Sequence, residues 1–320
     1  MIRKIALLAF LVTLLLFPLV IQDPYVLLVV NMAGIWVILA TSMNIMLGYA
    51  GQLPLGQTAF FGLGAYASGL LNVKLGVPFW LGLPIAAIVS TTAGYFIGKL
   101  TFKVRGAYFV LVTLGFGEVM RLIVNNWIDL TNGPMGLHGI APPIFYGIKF
   151  SSDVYYYYLI LFFDFLSVYV TWRIIHSRYG RAFAALNENE ALAGAVGISG
   201  QKILLVALMI STFFAGIAGS LYAHYVLFIS PDLFFLSYTV TMIIMVVFGG
   251  KRTISGPIFG AVAFTILPEL LRAAQNYRMA IYGLILMATI FFMKNGVIPS
   301  LSNFINHLKK RGERIAAARR

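Results

Sequence analysis

Apolar runs of about 20 residues recur along nearly the whole chain, and this recurrence constrains the fold more than any single motif. A run of that length crosses the ~30 Å hydrocarbon core of a bilayer as one helix. Candidate spans fall at 5–21, 26–47, 53–71, 79–98, 107–125, 154–172, 203–226, 234–248, 256–272 and 279–293. They are continuously apolar, whereas the strands of a membrane barrel alternate between two faces. Hydrophobic residues make up 60% of the 320 and charged residues only 10%, too little polar surface to wrap a water-soluble globule of this size. The expected fold is therefore an all-α integral membrane bundle of about ten transmembrane helices. Residues 1–300 form one transmembrane domain with two longer polar loops, 126–153 and 176–201, and 301–320 form a basic tail.

The first span has the outline of a signal peptide, with Arg3 and Lys4 ahead of the apolar stretch from Ile5 to Ile21. That stretch is long for a signal and no small-x-small cleavage site follows it, so a retained first helix is expected. Only five of the 23 basic residues, Lys74, Arg121, Lys149, Arg272 and Arg278, fall on the side opposite the termini when ten spans are threaded. The bias places both termini and the tail in the cytoplasm. The formal charge of +13 is thus mostly a topology signal, and no basic face for nucleic acid is present. The absence of Cys removes disulfides and thiolate chemistry.

Several features carry polar chemistry into the spans. The stretch from Gly48 to Tyr66 mixes glycines with Pro54, Gln52 and Gln57 where a span should begin. Irregular backbone at that depth must face protein or a water-filled path, because lipid cannot satisfy freed amides. Gly51, Gln52, Gln57 and the nearby Asn44 are candidate path-lining residues; close helix packing through Gly56, Gly62, Gly64 and Gly69 is the alternative. A similar pattern recurs at Gly250-Lys251-Arg252 with Gly256, Phe259 and Gly260. Glu118 and Arg121 stand three apart on one helix face, as do Glu269 and Arg272, so each pair can neutralise itself. Asp164 lies near the middle of its span with no sequence-local partner. Glu118 and Asp164 join the candidate path set, because ionisable groups in a span cost about 2.5 to 3.5 kcal/mol each. Asn31, Asn44 and His224 have the character of interhelical hydrogen-bonding residues. No GxxxxGK[ST] loop is present, so energy from nucleotide would have to arrive from another chain.

The loop 176–201 reads as a short helix stopped near Gly194 or Gly197, with small and apolar positions interleaved with Asn and Glu. It resembles the coupling loop of ABC importer permeases. Gly180-Arg181-Ala182, Glu188-Asn189-Glu190 and Gly197-Ile198 resemble the branched-chain amino-acid subgroup in particular, as do Gly48 to Tyr66, Arg105 to Phe109, Asn132-Gly133 through Gly139-Ile140, Val247 to Gly250 and Leu267 to Arg272. These matches run in order from about residue 44 to 296 and indicate a LivM-type permease subunit. Phe248 and Lys251-Arg252 depart from the pattern, and Asp164 falls outside it.

The resemblance implies a transport subunit rather than an enzyme, multi-pass in a bacterial inner membrane, serving import of leucine, isoleucine or valine. It implies a LivH-type permease partner, two ABC ATPase subunits that carry the ATP, and an extracytoplasmic solute-binding protein; no cofactor is bound by the chain itself. It places ATPase coupling on Gly180, Arg181, Ala182, Phe183, Leu186, Glu188, Asn189, Glu190 and Gly197, and binding-protein contact on Asn132, Gly133, Gly136 and Gly139. A urea or short-chain amide permease is the nearest alternative within the family. An ion-coupled secondary transporter, with Asp164, Glu118 and Arg121 as a relay, is the alternative outside it.

Overall fold

The computed structural model of the 320-residue chain describes residues 12–21, 23–102, 107–145, 148–150, 152–270, 283, 284, 287 and 296–301. A helical stretch at 12–20 leads to α1 (Pro24–Asn44), which is started by the Asp23 carboxylate accepting from the Tyr25 amide at 2.8 Å, with proline at its first position. Then follow α2 (Gln57–Leu75), α3 (Phe79–Thr101), α4 (Ala107–Asn126), α5 (Asp153–Ile175), α6 (Arg178–Glu188), α7 (Glu190–Ala195), α8 (Gly200–Val226), α9 (Leu236–Gly249) and α10 (Ser255–Leu270). Among the described residues five helical segments are long and apolar enough to cross a membrane: Pro24–Tyr49, Phe79–Thr101, Tyr108–Asn126, Asp153–Ile175 and Gly200–Val226. The expected span at 279–293 lies almost wholly outside the described residues.

The centre of the bundle is α8, packed on α3, α2 and α1. Its small residues set how close the neighbours come. A Cβ on Gly216 would fall 2.8 Å from the Ala86 carbonyl of α3, and one on Gly219 would fall 2.1 Å from the Phe61 carbonyl of α2. From the other side, a Cβ on Gly64 would meet the Gly216 carbonyl at 2.4 Å. Backbones touch here, and van der Waals contact replaces the hydrophobic drive that helices lack inside lipid. On the flanks, α5 packs on α1, and α9 with α10 makes a close hairpin against its other side.

Two breaks interrupt this helical frame: the first leads into α2 and packs on α8 and α6, and the second packs on α2. The first follows α1: a π-helical turn, Ile45–Tyr49, leads into non-helical chain through Gly56, with Gly51 in the left-handed region at φ 70°. The helix expected from residue 53 therefore begins at Gln57. The second runs from the two-residue strand Phe228–Ile229 through the 3-10 turn Pro231–Phe234 into α9. At about 1.5 Å per residue α9 reaches only ~21 Å, short of a bilayer core. Phe234 explains why, because its ring fills the space a Gly62 side chain would take and its carbonyl accepts from Thr58 at 3.4 Å. The chain has thus turned back into the bundle before α9 starts, and the span expected at 234–248 is a partial one.

The polar loop after α4 is ordered by turns. A single helical turn, Ile128–Thr131, and the 3-10 turn Gly133–Met135 are joined by Asn132, at φ 61°. Leu137–His138 then pairs antiparallel with Phe228–Ile229, fixing the loop to the second break.

Candidate functional site

The α6–α7 hairpin is amphipathic by construction. Gly180, Phe183 and Leu186 repeat every three residues on one side of α6 and are buried, while Arg181 and Glu188 are exposed. Gly180 is obligatory there, since a Cβ would lie 2.0 Å from the Ile175 carbonyl. The single helix expected for this loop is in fact two. Asn189 leaves the helical region at φ −158° and its side chain accepts from the Leu192 amide at 3.1 Å, capping α7. Gly197, at φ 85°, closes the hairpin. Of the nine candidate coupling residues, Gly180, Phe183 and Leu186 anchor the hairpin to the spans. Arg181, Glu188, Asn189 and Gly197 face outward, and Ala182 and Glu190 are half-buried.

One contact joins this hairpin to the first break. The Asn187 side-chain amide donates to the Gly48 carbonyl at 3.1 Å and the Tyr49 carbonyl at 3.2 Å. A π-turn leaves carbonyls in need of partners, and a side-chain amide supplies them. Gly51 makes the approach possible, because a Cβ there would fall 2.4 Å from Asn187 Oδ1. Beside this contact is a cavity of about 810 Å³, lined by Gly48, Gly51, Asn187, Glu188, Arg252 and Thr253 among others. Glu188 and Arg252 face each other at 3.9 Å. The two similar glycine patterns, around Gly51 and around Gly250, therefore meet at one cavity.

The candidate path residues do not form one cluster. Gly51 and Gln52 lie in the first break. Asn44 is buried beside it and donates to the Thr253 carbonyl at 2.9 Å. Gln57 is fully buried, with Nε2 donating to Ser42 at 3.3 Å and Ser211 at 3.0 Å, a polar knot tying α1, α2 and α8. Among the described residues Gln57 Oε1 and Asn44 Oδ1 have no hydrogen-bond partner. Asp164 packs in a different seam, against Gly34 of α1, and its Oδ1 is buried without a partner. Glu118 stands on the uncovered side of α4, ion-paired with Arg121. The acids expected to form a relay, Asp164 and Glu118, thus occupy separate seams. Glu269 accepts from the Tyr25 hydroxyl, and its expected partner Arg272 lies outside the described residues.

Asn31 and His224 bridge segments on the far side. Asn31 donates to the Asp153 carbonyl at 3.0 Å and to the Tyr225 hydroxyl at 3.3 Å. His224 Nδ1 is 2.7 Å from the Ala141 carbonyl, which can only accept, so Nδ1 carries the proton and Nε2 accepts from Ser68 at 2.9 Å. In the candidate binding-protein set, Asn132 and Gly139 are exposed, whereas Gly133 and Gly136 are buried and shape the turn.

Four residues escaped the sequence reading. Asn187 is in no charged motif; Leu192 and Val196 are large apolar side chains exposed on α7; Met135 is exposed at the tip of the outer turn. An apolar residue in a hairpin between spans was the available signal for Leu192 and Val196.

A mostly helical chain with several helices able to cross a membrane, two broken segments and an amphipathic hairpin fastened to one of the breaks has the build of a multi-pass membrane protein. The family described as the permease component of the branched-chain amino acid transport system matches residues 25–290, and the chain belongs to that family. It is similar to the high-affinity branched-chain amino acid transport system permease protein LivM of Salmonella typhimurium, at 33% identity over 85% of this chain and 69% of that protein. A probable LivM of Methanocaldococcus jannaschii is 23% identical over 87% of this chain and 94% of that protein. The autoinducer 2 import system permease protein LsrC of Salmonella paratyphi B is 28% identical over 70% and 67%. No solved structure matches the chain.

Proposed function

We propose that this chain is one of two permease subunits of an ATP-driven importer for leucine, isoleucine or valine in a bacterial inner membrane. It crosses the bilayer about ten times with both termini inside, and a LivH-type permease completes the path. Two ABC ATPase subunits dock beneath the two permeases, one of them against the α6–α7 hairpin, touching Arg181, Glu188, Asn189, Leu192 and Val196. An extracytoplasmic binding protein meets the turn that carries Asn132, Met135 and Gly139. The chain itself does no chemistry on nucleotide. The observation that carries this reading is the Asn187 contact, which ties an outward-facing hairpin to the carbonyls of a broken span. ATPase closure pushes α6, Asn187 moves the Ile45–Gly56 break, and access alternates as helices shift about it. Exposed Leu192 and Val196 support a protein partner at the hairpin. The likeness to permeases named for two different solutes supports leaving solute choice largely to the binding protein.

The test is reconstitution in proteoliposomes with both ATPases, the second permease and the binding protein. ATP-dependent uptake of labelled leucine is expected, and omission of either the ATPases or the binding protein should abolish it. Uptake that persists without ATP and collapses with an ionophore would overturn the proposal.

A further inference from the structure

The side of α4 that the other described residues leave uncovered carries a pair of opposite charges. Arg121 Nε donates to both carboxylate oxygens of Glu118, at 3.0 and 3.1 Å, and the guanidinium lies over the Phe235 ring, 5.5 Å from its centroid. The Glu118 side chain is 53% exposed and that of Arg121 25%. Glu118 stands about 12 Å and Arg121 about 7.5 Å along the helix from Asn126, at ~1.5 Å per residue. Both lie on the apolar run Tyr108–Asn126, which is long enough to cross a membrane. A long basic side chain near a helix end ordinarily stretches to the interface, yet Arg121 turns back along the helix to Glu118. Gly115 and Gly117 continue the same faces, three and four residues earlier. A Cβ on Gly115 would meet nothing within 4 Å, and one on Gly117 only the Gly56 Cα at 3.7 Å. Against lipid, the half-exposed Glu118 carboxylate would have Arg121 for donor and counter-charge but no water, whereas a polar path would solvate its exposed side. A polar path through the assembled transporter would meet that need.

We infer that Glu118 and Arg121 form a station for the zwitterion of a free amino acid, its carboxylate on the Arg121 guanidinium and its ammonium on Glu118. The inference rests on the amino-acid permease proposed above. With the path empty, Glu118 neutralises Arg121, which also feels the Asp232 carboxylate of the Pro231–Phe234 turn. A zwitterion replaces one ion pair by two without altering net charge, and the planar guanidinium fork matches a carboxylate in two-pronged fashion. The space left by Gly115 takes the apolar side chain. A simple cation or anion would free one partner and leave it unpaired in a low-dielectric path, which disfavours both.

The test uses the complete importer in proteoliposomes. Glu118→Gln and Arg121→Gln are each expected to cut ATP-driven leucine uptake by about tenfold or more, while binding-protein-stimulated ATP hydrolysis persists. The exchanged variant, Glu118→Arg with Arg121→Glu, keeps a neutral pair at the same spacing but reverses its order. The bound zwitterion needs each charge at its own position, so wild-type uptake by the exchanged variant would overturn the inference. A second measurement needs neither substitution. In this cysteine-free chain, Gly115→Cys should react with a charged, membrane-impermeant thiol reagent, and leucine should slow the reaction by about threefold. A Cys at 115 that stays unreactive in a transporting assembly would overturn it equally. Failure of the underlying permease reading is distinct, because the unsubstituted importer would then show no ATP-driven leucine uptake at all.

Discussion

The two breaks in the helical frame are held in opposite ways. The second, Phe228–Phe235, is fixed many times over. Leu137–His138 pairs with its strand, Ala141 and Ser68 bond His224 beside it, and Ser220 donates to Ser68 at 2.8 Å. Tyr156 donates to the His224 carbonyl, and Asn31 and Tyr225 bind the start of α5. The first, Ile45–Gly56, has Asn44 on the α9–α10 turn and Asn187 on α6, and borders the 810 Å³ cavity. Polar networks with many bonds rigidify their surroundings. A segment held by few bonds at the edge of open space can move at low cost. The difference assigns the rigid end of the permease to His224 and the movable end to Asn187.

The largest expected effect tests the shared scaffold. Gly219→Val would set a side chain 2.1 Å from the Phe61 carbonyl and 2.7 Å from the Ala65 amide, backbone that cannot yield. A loss above ~3 kcal/mol is expected, read as disappearance of the monodisperse peak in detergent. Wild-type yield and melting would show that α2 and α8 do not touch as described. The next effect is at the rigid end. His224→Ala takes the acceptor from the buried Ser68 hydroxyl and leaves a cavity where the ring packs on Phe79, a cost of ~2–3 kcal/mol. The melting temperature should fall by several degrees, while the ratio of leucine transported to ATP hydrolysed stays at the wild-type value. A changed ratio with unchanged melting would invert the comparison.

Asn187→Ala should cost less stability and more function. Two hydrogen bonds at a half-buried site contribute on the order of 1 kcal/mol, yet the link from hairpin to break is removed. Uptake is expected to drop about tenfold while ATP hydrolysis continues, measured side by side in proteoliposomes. Parallel loss of stability and transport, with coupling intact, would reduce Asn187 to a packing residue.

Much of this architecture was legible in the sequence because it rests on composition. The spans α1, α3, α4, α5 and α8 are uninterrupted apolar runs, and their ends moved by only a few residues in the structure. Irregular backbone after α1 was legible from Gly51, Pro54 and Gly56. The break at Asn189 was not, because Asn189 serves as the cap of a second helix within one polar loop. The shortness of α9 also escaped, since hydropathy reports how apolar a segment is and not the depth at which it starts. Asn187 was invisible for a different reason: its partners are 138 and 139 residues away in the chain. Nor does hydropathy separate α4, largely uncovered, from α8, largely enclosed; Leu and Val read alike against lipid and against protein.

The smallest effect concerns the one ion pair across the cavity. Glu188 and Arg252 are 3.9 Å apart with side chains 74% and 46% exposed, so water screens most of their attraction. Exposed pairs of this kind contribute under ~1 kcal/mol, and Glu188→Gln should leave melting within about a degree or two of wild type. The same substitution discriminates between two accounts of the movable end. If Asn187 alone transmits the push, transport in Glu188→Gln stays near wild type at every salt concentration. If the ion pair shares the load, transport falls at low salt, and the gap from wild type closes as salt rises and shortens the screening length toward ~3 Å at 1 M. The hydrogen bonds of Asn187 are direct and the ion pair is long and wet, so the first outcome is expected.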